Sequence, residues 1–460
     1  MKKIYTEIRQ IAGPIAEIKG TVGIGNREIA HFPGYGIGQV VKLSGDTVYI
    51  QSLKGTLGMS TRQPVYFTGR PLIINYDSEL LLGRRFNGVF EPIDGKPPIT
   101  SGKSVPVRGA VINPTVREMG SGYIQTGIPG IDGANTIVRS QKIPIFKRPE
   151  EDVTKVVGRI IRQAEVNDRK PFVVIFGGIG LKHDEYIYFK EVLDESPERT
   201  IMVINRASES SIERLNVPHI CCTIGEQLAL EGKHVFIVLS DMLNFANSLM
   251  EVANAQDKIP ARAGYPGDLY TKLAQVYERA TNLGGKLGSI TILGVVSVPN
   301  GDITHPVPDL TGYITEGQIY IEQNKVMVLK SLSRLKQLVV GEETRQDHPA
   351  IMDACIKAYS YSLDLKEKLS MGLEITQEVD KKFLKFGDLF EDQFLPVHQN
   401  RTMDETLDLA WDLISTLPLE VLGIRKDISD KFYRKKEEEK EKKEKKEEKE
   451  KKEDGKEEAA

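Results

Sequence analysis

The chain has 460 residues, with 62 lysines and arginines against 65 aspartates and glutamates and a formal charge of −3, which argues against a surface built throughout to neutralise nucleic-acid phosphates. Its length suits two to four domains with ample core, and three cysteines, Cys221, Cys222 and Cys355, are too few for a disulfide framework. The longest aliphatic runs, at 172–176 and 235–239, fall far short of the roughly 20 residues that span a bilayer, and the N-terminus leads into no signal-like apolar segment. The expected compartment is therefore a reducing cytoplasm, with any membrane role peripheral.

Residues 1–72 are short alternating runs punctuated by Gly13, Gly20, Gly23, Gly34, Gly36, Gly45, Gly55, Gly58 and Gly69, the pattern of a small β-barrel. The stretch 83–114, with Glu91-Pro92-Ile93-Asp94-Gly95-Lys96-Pro97-Pro98 inside it, predicts an irregular linker with little helix. Within an α/β domain over 73–340, apolar runs at 172–176, 200–204, 235–239 and 290–298 alternate with helical text. Buried strands separated by helices imply a mostly parallel sheet covered on both faces. Residues 341–434 read as a helical domain, with helices at 347–361, 377–386 and 403–414. The tail 435–460 has 11 lysines and 12 acids among 26 residues, cannot build a core and is expected to be disordered or a fraying helix.

Three strings invite a phosphate reading. Pro97-Pro98-Ile99-Thr100-Ser101-Gly102-Lys103-Ser104 ends like a phosphate loop, but it begins with proline, follows linker text and precedes Pro106, so an exposed turn is expected. Lys147-Arg148-Pro149-Glu150-Glu151-Asp152-Val153-Thr154 stands after an apolar strand and before a helix, the correct topological place, yet has no glycine and three consecutive carboxylates. Those acids suit a helix N-terminus and would repel a triphosphate. Gly177-Gly178-Ile179-Gly180 reads as a glycine-rich turn after a strand, without dinucleotide spacing. Asp241 follows the strand at 235–239 and reads foremost as a helix cap, although an aspartate there holds Mg²⁺ in working ATPases. Cys221 and Cys222 are read as buried on opposite faces of a strand.

Longer strings then converge: Gly83-Arg84-Arg85-Phe86-Asn87-Gly88, Ile124-Gln125-Thr126-Gly127-Ile128, Gly264-Tyr265-Pro266-Gly267-Asp268, Thr304-His305-Pro306-Val307-Pro308-Asp309-Leu310-Thr311-Gly312-Tyr313-Ile314-Thr315-Glu316-Gly317-Gln318 and Ser331-Leu332-Ser333-Arg334-Leu335. In family order over residues 4–430, the chain resembles the B subunit, or beta chain, of V-type and A-type rotary ATPases. The resemblance implies three domains: an N-terminal β-barrel, a RecA-like α/β domain and a C-terminal α-helical domain. It also implies a noncatalytic, regulatory subunit that alternates with catalytic A subunits in a hexamer, meets central and peripheral stalk subunits, and works with a membrane rotor sector that moves H⁺ or Na⁺.

By the same resemblance Arg334 reaches across the interface to the neighbour's ATP. Ser331 and Ser333 set its loop, and Tyr313 and Glu316 line the same nucleotide interface. Leu181 stands where catalytic relatives carry the glutamate that polarises water, and an aliphatic side chain cannot take a proton. The implied cofactor is ATP or ADP with Mg²⁺ at the interface with the catalytic subunit, the chain's own nucleotide site being weak or absent and no metal being bound by its own residues. Implied too is a cytoplasmic location, attached to the membrane through the complex, and no nucleic-acid partner. Two rival readings are a self-sufficient hexameric ATPase, which needs an intact phosphate loop and a catalytic glutamate, and a structural scaffold without catalytic contribution, against which Arg334 in its string argues.

Overall fold

The computed structural model describes residues 3–108, 112, 114–256 and 258–432; the charged tail at 435–460 lies outside the described residues. Strands β1 (Lys3–Tyr5), β2 (Gln10–Ala12), β3 (Ile15–Ile18), β4 (Ile29–Phe32), β5 (Gly36–Ser44), β6 (Thr47–Ser52) and β7 (Val65–Phe67) form one antiparallel sheet in the order β1-β7-β4-β5-β6-β3-β2. They form the N-terminal barrel around Ala16, Ile18, Phe32, Val40, Ile50 and Phe67, all buried. Gly45, at a φ of 61°, supplies the left-handed residue of the two-residue turn between β5 and β6.

The stretch expected as an irregular linker is more ordered than its proline and glycine content suggests. Strand β8 (Ile73–Tyr76) pairs with β10 (Lys103–Pro106), and β9 (Arg85–Asn87) joins the edge of the main sheet. The segment between them is tied down by side chains instead of helix. Asp94 pairs with Arg84 and accepts from the backbone N–H of Arg85 at 3.2 Å and of Lys96 at 3.0 Å. Gly102-Lys103-Ser104 leads from a turn into a strand: a Cβ on Gly102 would lie 2.0 Å from the carbonyl oxygen of Tyr76, so strand pairing explains that glycine.

The main sheet runs β16 (Gly317–Glu322), β11 (Lys142–Lys147), β15 (Ser289–Ser297), β14 (His234–Ser240), β12 (Phe172–Leu181), β13 (Thr200–Arg206), β9, with every neighbouring pair parallel. Its inner strands are apolar throughout because both faces are covered. On one face lie α1 (Thr154–Gln163) and α2 (His183–Asp194), and on the other α3 (Ser211–Leu230), α4 (Met242–Asn254), α5 (Leu269–Tyr277) and α6 (Pro306–Ile314). In α1 the buried Val156, Val157, Ile160 and Ile161 recur at helical spacing, each contributing about 1.5–3 kcal/mol relative to exposure.

Two sequence expectations are corrected here. Gly177, Gly178 and Gly180 do not make a turn, since β12 continues through them to Leu181 and a Cβ on Gly177 would come 2.6 Å from Leu239. Cys221 and Cys222 lie on α3 and not on a strand; they are buried as expected. That helix is covered nearly all round, so its text carries no amphipathic period and imitates a buried strand.

The C-terminal helices are α7 (His348–Ser370), α8 (Glu378–Gln393) and α9 (Met403–Ile414). The first two run beyond the predicted 361 and 386, and the third has the predicted bounds. Thr402 and Glu405 form a capping box at the start of α9. Their core holds Phe386, Phe390 and Phe394 in a stacked series and a buried Trp411, whose Nε1 donates to Asp347 at 2.6 Å.

Candidate functional site

Strands β11, β12, β14 and β15 end together at their carboxyl edge around a cleft of about 600 Å³, lined by Lys147, Glu151, Asp152, Leu181 and Asp241 among others. This is where open α/β sheets place ligands. The loop entering α1 is nonetheless poorly suited to phosphate. Asp152 accepts from the Thr154 N–H at 2.9 Å, and these bonds to Thr154 hold its carboxyl below the usual range. A helix N-terminus that would greet a phosphate already carries the chain's own anion.

The Lys147 ammonium donates to the Glu151 carbonyl at 2.9 Å, and the Glu151 carboxylate accepts from the Gln323 N–H at 2.9 Å. Leu181 is buried against Gly178 and offers only hydrocarbon to the cleft wall. Asp241 caps α4 through the Leu243 N–H at 2.8 Å and also accepts from the Ser297 N–H at 3.2 Å and the Ser297 hydroxyl. Burial raises its carboxyl above the ordinary value despite these bonds. Its position is that of a structural clasp between β14 and β15.

Arg334 lies at the other edge. Strand β17 (Leu332–Ser333) pairs antiparallel with the first residues of β16, matching Ser333 with Gly317. A Cβ on Gly317 would come 2.2 Å from the Leu332 carbonyl, so glycine lets the two chains approach. Arg334 donates its N–H to the Glu316 carbonyl at 2.9 Å and one guanidinium nitrogen to the Thr315 carbonyl at 3.3 Å. The side chain is exposed and pairs with no carboxylate among the described residues.

Ser333 is buried: its hydroxyl donates to the Thr136 carbonyl at 2.9 Å and accepts from the Gln141 amide at 3.1 Å. Ser331 donates to the Met327 carbonyl and accepts from the Tyr320 N–H, both at 2.9 Å. Both hydroxyls therefore fix the loop from beneath. Glu316 pairs through one oxygen with the Lys142 ammonium and accepts the Lys142 N–H at 2.9 Å through the other. Tyr313, on the last turn of α6, is 75% exposed.

The structure thus brings Arg334, Glu316 and Ser333 together at the start of β16, while Ser331 holds that strand further along through Tyr320 and Tyr313 stands exposed three residues before Glu316. It also adds Lys142 and Gln141, which the sequence reading missed. No motif marks them, because their partners lie 174 and 192 residues away along the chain. Lys142 begins β11 and Lys147 ends it, so at about 3.3 Å per residue some 16 Å of strand separates the arginine edge from the cleft.

A barrel, a doubly covered parallel sheet with a cleft at its carboxyl edge, and a helical domain together define the class of ATP synthase α/β-type nucleotide-binding proteins. The sequence matches the ATP synthase alpha/beta family, nucleotide-binding domain, over residues 127–327, its beta-barrel domain over 8–69, and the C-terminal domain of V and A type ATP synthase over 338–433. It is 42% identical over 439 residues to the V-type ATP synthase beta chain 1 of Treponema pallidum, covering 94% of this chain and 100% of that one. Identity to the V-type ATP synthase beta chain of Treponema denticola is 41% over 439 residues, covering 94% and 99%. Identity to the B subunit of the A-type ATP synthase of Aeropyrum pernix is 40% over 453 residues, covering 94% and 98%. The chain belongs to the family of V-type and A-type ATP synthase beta, or B, chains. No helix among the described residues is long and apolar enough to cross a membrane.

Proposed function

We propose that this chain is the noncatalytic, regulatory subunit of a rotary ATP synthase or ATPase, alternating with catalytic A subunits in a hexamer and supplying Arg334 to a nucleotide bound by its neighbour. The observation that carries the reading is the separation of the two edges: an unpaired guanidinium stands about 16 Å of strand away from the chain's own cleft, and that cleft has a carboxylate where a phosphate would sit. An arginine so placed serves a nucleotide held by another chain.

The guanidinium is permanently charged, and its planar fork matches phosphoryl oxygens. Its Thr315 contact leaves most of its donors free. Supplied in trans, an arginine of this kind is worth about 10³–10⁵ in phosphoryl-transfer rate. In this reading ATP or ADP with Mg²⁺ is held by the catalytic neighbour, Tyr313 and Glu316 face the same interface, and Ser331 and Ser333 hold the loop. Stalk subunits and a membrane rotor sector couple the head to H⁺ or Na⁺ transport from a cytoplasmic position. The domains of this subunit are the barrel at 1–72, the RecA-like unit at 73–340 and the helical unit at 341–434.

The test is ATP hydrolysis by this chain and its cognate catalytic subunit, alone and together, with Arg334→Ala compared in hexamers of equal assembly. Activity that needs both chains and collapses on substitution is expected. Hydrolysis by this chain alone, or an unaffected Arg334→Ala hexamer, would overturn the assignment.

A further inference from the structure

A second, smaller cavity of about 170 Å³ lies where the barrel meets the α/β domain, remote in character from the cleft already described. Its wall brings Arg27 and Gln39 from the barrel against Arg108, Lys258 and Lys272, with Asp268 the acid among its lining residues. Asp268 is already engaged, 3.5 Å from Lys272 on the same helix start. Glu28, next to Arg27, turns its carboxylate to the N–H groups of Gly25 at 2.8 Å and Gly69 at 2.6 Å. Neither Arg27 nor Arg108 pairs with a carboxylate among the described residues.

Arg108 donates one terminal nitrogen to the Leu215 carbonyl at 3.3 Å, while its Nε is buried with no partner among the described residues. Burial pushes this guanidinium down to about 9, helped by Arg27 and Arg279. Lys272 is lowered by burial and then, against the pull of Asp268, by Arg27 and Arg108. His219 behind them is depressed first by burial and then by the same cations. Arg279 itself is neutralised by Glu226 at 2.6 Å, so the uncompensated charge belongs to the cavity. Half-buried cations that repel one another across one cavity would be relieved by an anion bound between them.

We propose that this junction is a binding site for one small tetrahedral oxyanion of the phosphate type, held by Arg27, Arg108 and Lys272. The space is large enough for several waters and well below the roughly 300 Å³ at which drug-sized sites begin, so inorganic phosphate is the class of anion that matches it. Two of the three cations come from opposite sides of the junction, so a bound anion would fasten the barrel to the α/β domain. The site is independent of the function proposed for Arg334.

Equilibrium dialysis of the full-length chain against radiolabelled inorganic phosphate at low salt tests it. One saturable equivalent is expected, weakened at least tenfold by Arg27→Gln and by Arg108→Gln, and unaltered by Arg62→Gln on the barrel surface. Arg27→Gln is the decisive variant, because its guanidinium makes no hydrogen bond among the described residues that folding would lose, and thermal melts with and without phosphate report both folding and binding. Absence of saturable binding, binding that persists in folded Arg27→Gln, or displacement by ATP at concentrations similar to those of phosphate would each overturn the proposal.

Discussion

Arg334 and Glu316 are joined backbone to backbone, N–H to carbonyl at 2.9 Å, while the Glu316 side chain is turned away to Lys142. The pair separates two tasks. Glu316 anchors the loop to the first residue of β11, and the arginine is left exposed. Replacing Glu316 by glutamine is therefore expected to loosen the loop by about 1 kcal/mol or less in urea unfolding, as for other part-exposed ion pairs, and to lower the ATPase rate of reconstituted hexamers without abolishing it.

Arg334→Lys is predicted to recover little of the rate lost in Arg334→Ala. Lysine keeps the charge but lacks the planar fork. Steady-state hydrolysis by matched hexamers measures this; recovery to near wild-type rate would mean that bare positive charge is sufficient.

Ser333→Ala removes the hydroxyl that serves the Thr136 carbonyl and the Gln141 amide within the core. A buried partner left unsatisfied costs about 1–3 kcal/mol, so the urea midpoint of the isolated chain should fall correspondingly. Ser331→Ala, whose hydroxyl is only partly buried, should cost less in the same assay.

In the helical domain Asp347 is wholly buried and receives Arg345 at 2.7 and 2.8 Å as well as Trp411. Asp347→Ala should destabilise the chain by about 3–5 kcal/mol, the penalty of breaking a buried ion pair from one side. Trp411→Phe removes one bond and part of the packing, and should cost less. Calorimetric unfolding of the two variants would rank them.

Acid acts on the fold in two opposite senses: buried histidines lose stability as pH falls, while Asp132 and Glu213, whose carboxyls burial pushes up to about 7, gain it. His348 is kept neutral by burial, donating from Nε2 to the Gly133 carbonyl at 2.8 Å with Nδ1 2.9 Å from the Thr344 hydroxyl, and His219 is depressed by burial and neighbouring cations. A histidine held neutral when folded takes its proton in the unfolded chain, so stability is full above the unfolded value of about 6.5 and is lost as pH falls below it. Urea midpoints of wild type and His348→Gln between pH 8 and pH 5 isolate the histidine share: the wild type should lose stability relative to the variant as pH falls.

How much of this was readable beforehand depends on what each segment packs against. Strands β12 to β15 announce themselves because a parallel strand buried on both faces is an uninterrupted apolar run, whereas α3 hides its helical nature for the same reason, being covered nearly all round. The glycines of β12 look like a turn until the Leu239 side chain beneath them is seen. At the arginine edge, composition and spacing carry nothing: the family string alone selected Arg334. The tethers from Lys142 and Gln141 depend on chain segments brought together by the sheet. Likewise the cations at the barrel junction are dispersed in sequence from Arg27 to Lys272, and only folding turns them into one field.

The six residues of β11 set a cleft at one end and an arginine platform at the other, which gives the molecule a front and a back. Bodies that meet front against back join head to tail, through two different faces. Such contacts close on themselves only if the angle between successive members divides a full turn, and otherwise they grow without end into a filament. The alternation proposed above would give two joints per repeat in place of one, so the angle that shuts the circle would be shared between unlike partners.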